Sequence, residues 1–279
     1  MIFEKIKLYG GRILLKNPVN KSLDEFIFKN KEKLMKIFEN NYRIIDSSDN
    51  FGVSIIMVTM RQNCMENIFE NYERQDFEKK EMIIVLNNND MNIDEWLEVA
   101  KQYENVEVFQ LDEKITLGKC LNFGVAHSKY DFIAKFDDDD YYGPKHLSDL
   151  IEAFDIVDAD VVGRGASFVY FEKSKTLAIR TPEKENRYVK HMDGPTLLIK
   201  KKVFNKVRFA NIPRGVDTQF SKDCVKNGFK IYSTNKYHHV YIRHDSLDKH
   251  TWKIRDEDLL KFSTIVKKNV EDFTSFVNI

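Results

Sequence analysis

Unbroken apolar runs of strand length alternate with segments of helical period through the first half of the chain. Val53–Thr59 (VSIIMVT) and Met82–Leu86 (MIIVL) show no polar alternation and are rich in β-branched residues, which predicts central strands covered on both faces. A helix follows the first run, with Met65, Ile68, Phe69 and Tyr72 on one face. After the second run, Ile93, Trp96, Leu97, Ala100 and Tyr103 fall at helical spacing, with Asp94 and Glu95 in the first turn, where the helix dipole favours acids. Val106–Gln110 reads as a short strand, and Leu117, Cys120, Leu121, Gly124 and Val125 as one face of a helix. Phe132, Ile133, Ala134 and Phe136 form a further buried strand, and Leu147, Leu150, Ile151 and Phe154 mark the helix after it. Strand and helix thus alternate four times over about a hundred residues, which predicts a parallel sheet with helices on both faces and ligands at the carboxyl ends of its strands. Three of those ends carry polar clusters: Thr59-Met60-Arg61, Asn87-Asn88-Asn89 and Asp137–Asp140.

The second half is less regular. Asp160–Val162, Phe168–Phe171, Thr196–Ile199, Ile231–Ser233 and Val240–Ile242 read as short strands, and Lys173–Lys190 as a polar, mobile excursion. Asn211–Thr218 reads as a loop before an amphipathic helix that stops at Gly228. From Asp256 a terminal helix is expected, with Leu259, Phe262, Val266, Val270 and Phe273 on one side. Near the other end, Ser22 and Glu25 have the spacing of a capping box, and a ragged apolar stripe predicts a helix to about Asn40. The expected organisation is an N-terminal extension with one helix over 1–50, a first half over 51–142, a second half over 143–255 and a C-terminal helix over 256–279.

Composition narrows the class. The chain has 279 residues, 42% hydrophobic and 32% charged, enough for a sizeable core. Lys+Arg and Asp+Glu are both 44, so no global basic field argues for nucleic acid. No apolar run approaches the ~20 residues of a membrane span, and the N-terminal stretch lacks the apolar core of a signal peptide. Cys64, Cys120 and Cys224 are odd in number and far apart, as in reduced buried thiols; the expected location is cytoplasmic. Peripheral membrane contact and self-association stay open.

The acidic run is the candidate chemistry. A buried strand ends in four carboxylates, Asp137 to Asp140, and Pro144 opens a helix soon after. Adjacent negative charges repel, and a hard cation relieves them. Mg²⁺ or Mn²⁺ suits such oxygen ligands and takes only one or two carboxylates, with phosphate oxygens and water completing the shell. A solvated acidic turn is the alternative. Other motifs are missing: there is no phosphate loop, Gly163-Arg164-Gly165 lacks the third glycine of a dinucleotide fingerprint, and Tyr142 stands where a calcium loop needs glycine.

Five segments in order resemble family 2 glycosyltransferases of the GT-A fold. They are VSIIMVTMRQ, NYERQDF (with Gln75 in place), EMIIVLNNND, LGKCLNFGVAHSKYDFIAKFDDDDYY and RGVDTQFSKDCVKNGFKI, together spanning about 53–235. The DDDDYYGP variant also resembles the subgroup acting on bacterial spore-coat or cell-wall polysaccharide. The resemblance implies a three-layer α/β/α sandwich with a mostly parallel central sheet, the first half binding a nucleotide-sugar and the second an acceptor. It implies a metal-dependent inverting transfer from a nucleotide-diphospho-sugar, with UDP favoured, to a saccharide or polyol-type hydroxyl. Asp137 and Asp139 match the first and last acids of the Asp-x-Asp motif, for ribose and for the metal, with Asp138 between them on the nucleotide side. Thr59 and Arg61 would line the nucleotide cleft, Asn87 would face the base, and Lys119 stands at a frequent nucleotide contact. Asp217 matches the catalytic base, and His244 is the first choice among the histidines of 238–250 to complete the metal site. Two positions depart from the family: Leu86-Asn87 replaces an acidic strand end, and Val216-Asp217 replaces Glu-Asp.

Other readings remain at the level of residues. Asp217 also suits a helix N-cap, Asn87–Asn89 a plain turn, and Tyr141 and Tyr142 either packing or a sugar pocket. A sugar-nucleotidyltransferase would want a glycine-rich loop after the first strand, and Val58–Asn63 has no glycine. A non-catalytic binding module of the same fold would have no need of intact Asp137, Asp139 and Asp217.

Overall fold

A computed structural model describes residues 6–9, 12–15, 50–244 and 254–279 of the chain, which divides into two units, Met1–Asp49 and Asn50–Ile279. In the first unit, β1 (Ile6–Tyr9) and β2 (Arg12–Leu15) pair as an antiparallel hairpin. The helix expected from Leu23 to Asn40 lies outside the described residues.

In the second unit the apolar runs become β3 (Val53–Thr59), β4 (Lys80–Leu86), β5 (Val106–Gln110) and β6 (Phe132–Phe136). They pair in parallel in the order β6-β3-β4-β5. Side chains alternate across this sheet. Val53, Ile55, Met57, Met82, Ile84, Leu86, Ala134 and Phe136 face α1 (Met65–Glu73), α2 (Ile93–Ala100) and α4 (His146–Ile156). Ile56, Ile83, Val85 and Ile133 face α3 (Leu117–His127) and α5 (Val216–Lys226). Both faces are dry, which is why the runs lack polar alternation. Each fully buried Ile, Leu, Met or Phe contributes about 1.5–3 kcal/mol of transfer free energy.

Four further strands extend the sheet beyond β6: β8 (Val161–Gly163), β11 (Arg187–Val189), β12 (Leu198–Lys200) and β13 (Ile231–Ser233). The full order is β11-β13-β8-β12-β6-β3-β4-β5. β12 is antiparallel to both its neighbours, β6 and β8, so the sheet is mixed and the two halves of the chain share it. A second, five-stranded sheet has the order β15-β10-β9-β14-β7, from β7 (Tyr141–Tyr142), β9 (Ser167–Phe171), β10 (Thr176–Arg180), β14 (His239–Arg243) and β15 (Ser263–Lys267). No helix among the described residues is long and apolar enough to cross a membrane.

Two expectations are corrected. Lys173–Lys190 is not a loose excursion: it contains β10 and β11, and Leu177 and Ala178 are fully buried. The charges flanking TLAI hide a strand too short to show a period. The single helix over 256–279 is replaced by α6 (Asp256–Leu260), β15 and α7 (Thr274–Val277). The β-branched run Thr264-Ile265-Val266 favours a strand and pairs with β10, overriding the helical spacing of the apolar residues.

Candidate active site

Register brings the polar strand ends together. Met57 lies opposite Phe136 and Thr59 opposite Leu86, so Thr59–Arg61, Asn87 and Asp137–Asp140 leave the sheet side by side. Thr59 Oγ1 donates to Asp138 Oδ2 at 2.5 Å, and Arg61 Nε donates to the same oxygen at 3.0 Å. Arg61 Nη2 pairs with Asp138 Oδ1 and lies 2.9 Å from Asp139 Oδ2. The Asn87 N–H donates to the Thr59 carbonyl at 2.8 Å, and its side-chain amide to the Asp112 carbonyl at 2.9 Å.

Helix α1 braces the acidic turn from outside. Asn67 donates to the carbonyls of Asp138 and Asp140 at 2.9 and 3.1 Å, and Asn71 to that of Asp140 at 2.8 Å. Buried Gln75 donates to the Tyr142 and Gly143 carbonyls and accepts from the Leu147 N–H. Tyr142 is a packing residue: it is fully buried, stacks on Phe136 with ring centroids 3.7 Å apart, and its hydroxyl bonds the Asp137 N–H and the Pro195 carbonyl. Tyr141 packs edge-on against Phe273.

The turn holds more negative charge than it can easily keep. Burial, reinforced by Asp140, Asp138 and Asp137 and opposed by Arg61, pushes the Asp139 carboxyl up to about 7. Asp140 is wholly buried, and burial with the nearby Asp137 raises it well above the carboxylate range. It accepts from the Ile242 N–H at 3.1 Å and lies 3.1 Å from His239 Nε2. Burial depresses His239 to about 3, so this ring is neutral. Asp140 therefore ties the turn to β14, while Asp137 and Asp139 keep more exposure than the other two acids. The donor set suits a cation that brings much of its own shell. Among the described residues no three His, Cys, Asp or Glu side chains converge into a cage, so such an ion would need phosphate oxygens and water for most of its shell.

Asp217 lies on α5. Gly215 supplies the left-handed backbone before the helix (φ 75°) and occupies the N-cap, so Asp217 is not the cap. Asp217 sits in the first turn against Gly194; a Cβ at 194 would overlap its carboxylate. Its Oδ1 is buried with no hydrogen-bond partner. Burial raises its pKa, Lys135 opposes this, and Asp137, Asp193 and His191 also act on it. Lys135 is buried beside Asp137 and pairs with its Oδ1. Arg180 and His191 flank Asp193, with His191 Nε2 at 3.2 Å.

The structure thus brings Thr59, Arg61, Asn87, Asp137, Asp138 and Asp139 to one sheet end, and electrostatics connects Asp217 to Asp137. Lys119 is exposed on α3 and makes no polar contact with them among the described residues. His244 follows β14 with Nδ1 2.9 Å from Glu172 Oε2. The histidine that meets the acidic run is His239, through Asp140. His250 lies outside the described residues. Sequence reasoning gives Gly194 only a turn with Pro195 and gives Lys135 no role, although a lysine inside a buried strand two residues before an acid is a visible anomaly.

Residues 54–210 match the family model described as Glycosyl transferase family 2. No curated protein matches the chain. Among solved structures, residues 1–349 of S. aureus TarS in complex with UDP-GlcNAc share 17% identity at a TM-score of 0.56, over 76% of this chain and 64% of that one. The same fragment with UDP shares 19% identity at 0.54, over 69% and 60%. Mannosyltransferase PcManGT from Pyrobaculum calidifontis, in complex with GDP-Man and Mn²⁺, shares 13% at 0.54, over 79% and 66%. The chain spans less than two thirds of the TarS fragment and 37% of the longer TarS chain. At these identities the likeness shows the fold.

Proposed function

Because the chain belongs to glycosyl transferase family 2, we propose that it moves a sugar from a nucleotide-diphospho-sugar to a hydroxyl acceptor, in the cleft between the Asp137–Asp140 turn and Asp217. The observation that carries this is the buried, unpartnered Oδ1 of Asp217, electrostatically linked to Asp137 at the neighbouring strand end. A buried acceptor without a donor suits a proton-bearing ligand.

The nucleotide lies along Thr59, Arg61, Asn87, Asp137 and Asp138, with Lys119 reaching in from α3. One amide hydrogen of Asn87 goes to Asp112; its other hydrogen and its oxygen match a carbonyl and ring N–H of uracil, which favours UDP. Asp139, with His244 as second ligand, would hold Mn²⁺ or Mg²⁺, which when bound supplies Lewis-acid stabilisation to the leaving diphosphate. The bound forms of TarS and PcManGT support this donor and metal class. Arg61 adds a fixed positive charge on the same side. Asp217 takes the proton of the attacking hydroxyl from the opposite side, which is the arrangement of an inverting displacement. The acceptor is a saccharide or polyol-type hydroxyl, in cell-surface or spore-coat polysaccharide synthesis.

The test is release of nucleoside diphosphate from UDP-GlcNAc, UDP-glucose and GDP-mannose, with Mn²⁺ or with EDTA. Metal-dependent release from one donor, abolished in Asp139→Asn, is expected. No nucleotide or metal binding by calorimetry would favour a non-catalytic module.

A further inference from the structure

Strand parity puts a cation where the sequence shows only an apolar run. Ile133 and Lys135 alternate with Ala134 and Phe136 along β6, and Asp137 follows directly. Ile133 belongs to the core on the α5 side, so Lys135 and Asp137 point the same way, toward the helix that carries Asp217. The Lys135 N–H is held by the Leu197 carbonyl of the adjoining segment at 2.9 Å, and Ile56 lies opposite on β3. Its side chain is 4% exposed, and among the described residues its ammonium has one acceptor, Asp137 Oδ1. A buried ammonium with one partner is costly, and an apolar side chain would fill this strand position more cheaply.

We infer that Lys135 is the positioning residue of this site: its ammonium fixes Asp137 and is the counter-charge that keeps Asp217 an ionised carboxylate. The inference rests on Asp217 being the base. Four charged or titratable groups act on Asp217 through space: Lys135 and Asp137 from β6 and its end, and Asp193 and His191 from the segment before Gly194. Two are acids, and Asp193 already has Arg180 and His191 as partners. Lys135 has no comparable claim besides Asp137, and it forms no direct ion pair with Asp217. It therefore acts through space, leaving the buried Asp217 Oδ1, which has no hydrogen-bond partner, open to a hydroxyl proton. Burial alone would lower the Lys135 ammonium, but Asp137, Asp217 and Asp140 outweigh it and hold it charged.

The experiment is a ¹³C-carboxyl NMR titration of the full chain, with the Asp217 signal assigned through Asp217→Asn. In Lys135→Met its midpoint should rise by about one pH unit or more, the range for losing a nearby opposite charge. Lys135→Arg should restore it. The acid limb of the rate profile should move with the same midpoint. An unchanged Asp217 midpoint in Lys135→Met overturns the inference, as does an activity loss equal at every pH. If Lys135→Met does not fold, Lys135→Gln is read by the same criteria. An unmodified chain that turns over no donor counts against the proposed function, and the NMR coupling still reads the electrostatics separately.

Discussion

Arg61 Nη2 lies 2.9 Å from Asp139 Oδ2, so the acid proposed to hold the metal rests against a guanidinium when the chain is alone. The same guanidinium grips Asp138. Arg61→Met removes this counter-charge from buried carboxylates. The metal-free protein should lose roughly 1–3 kcal/mol at pH 8, less than a fully buried pair because the arginine is partly exposed. Added Mn²⁺ should then raise Tm more in the variant than in the parent. Urea melts with EDTA and with Mn²⁺ check both; an equal Mn²⁺ effect in the two proteins contradicts the assignment of charges.

Asp139 makes stability pH-dependent in a defined direction. Its folded pKa, about 7, lies above the unfolded carboxylate value. Between about pH 4 and 7 the folded state keeps a proton that the unfolded chain releases, so metal-free stability falls as pH rises. A shift of this size corresponds to an effect on the order of 4 kcal/mol. Asp139→Asn should flatten this slope and raise Tm at pH 8 in EDTA. Thermal melts across pH 4–8 decide it, and parallel slopes in the two proteins would count against it.

Gly194 gives the Asp217 carboxylate its room. Gly194→Ala should displace that carboxylate while leaving the strands intact. Turnover should drop on the order of a hundredfold, the scale of an ångström-sized misplacement. UDP binding, which uses the acidic turn, should change little. Circular dichroism, calorimetry and rates together read this.

The sheet was legible because its four parallel strands are buried on both faces, which leaves unbroken apolar runs such as Val53–Thr59 and Met82–Leu86. The convergence of Thr59, Asn87 and Asp137 followed from the same pattern, since parallel strands deliver their carboxyl ends to one edge. The second sheet was harder to see. β10 is five residues among charges, and β15 has apolar spacing that fits a helix equally well until β10 supplies a partner. Side-chain pairings at the site were less visible still. The links from Asp140 to His239 and from Gly194 to Asp217 join residues distant in sequence, and no local spacing encodes them.

The division of labour between the acidic turn and Asp217 is tested most directly by Asp217→Asn, with the protein's affinity for UDP in Mn²⁺ and its turnover measured on one preparation. The affinity should stay within about twofold while turnover falls about 10²–10⁴-fold, the usual contribution of a positioned base. Near-normal turnover, or UDP binding lost together with activity, would contradict the account.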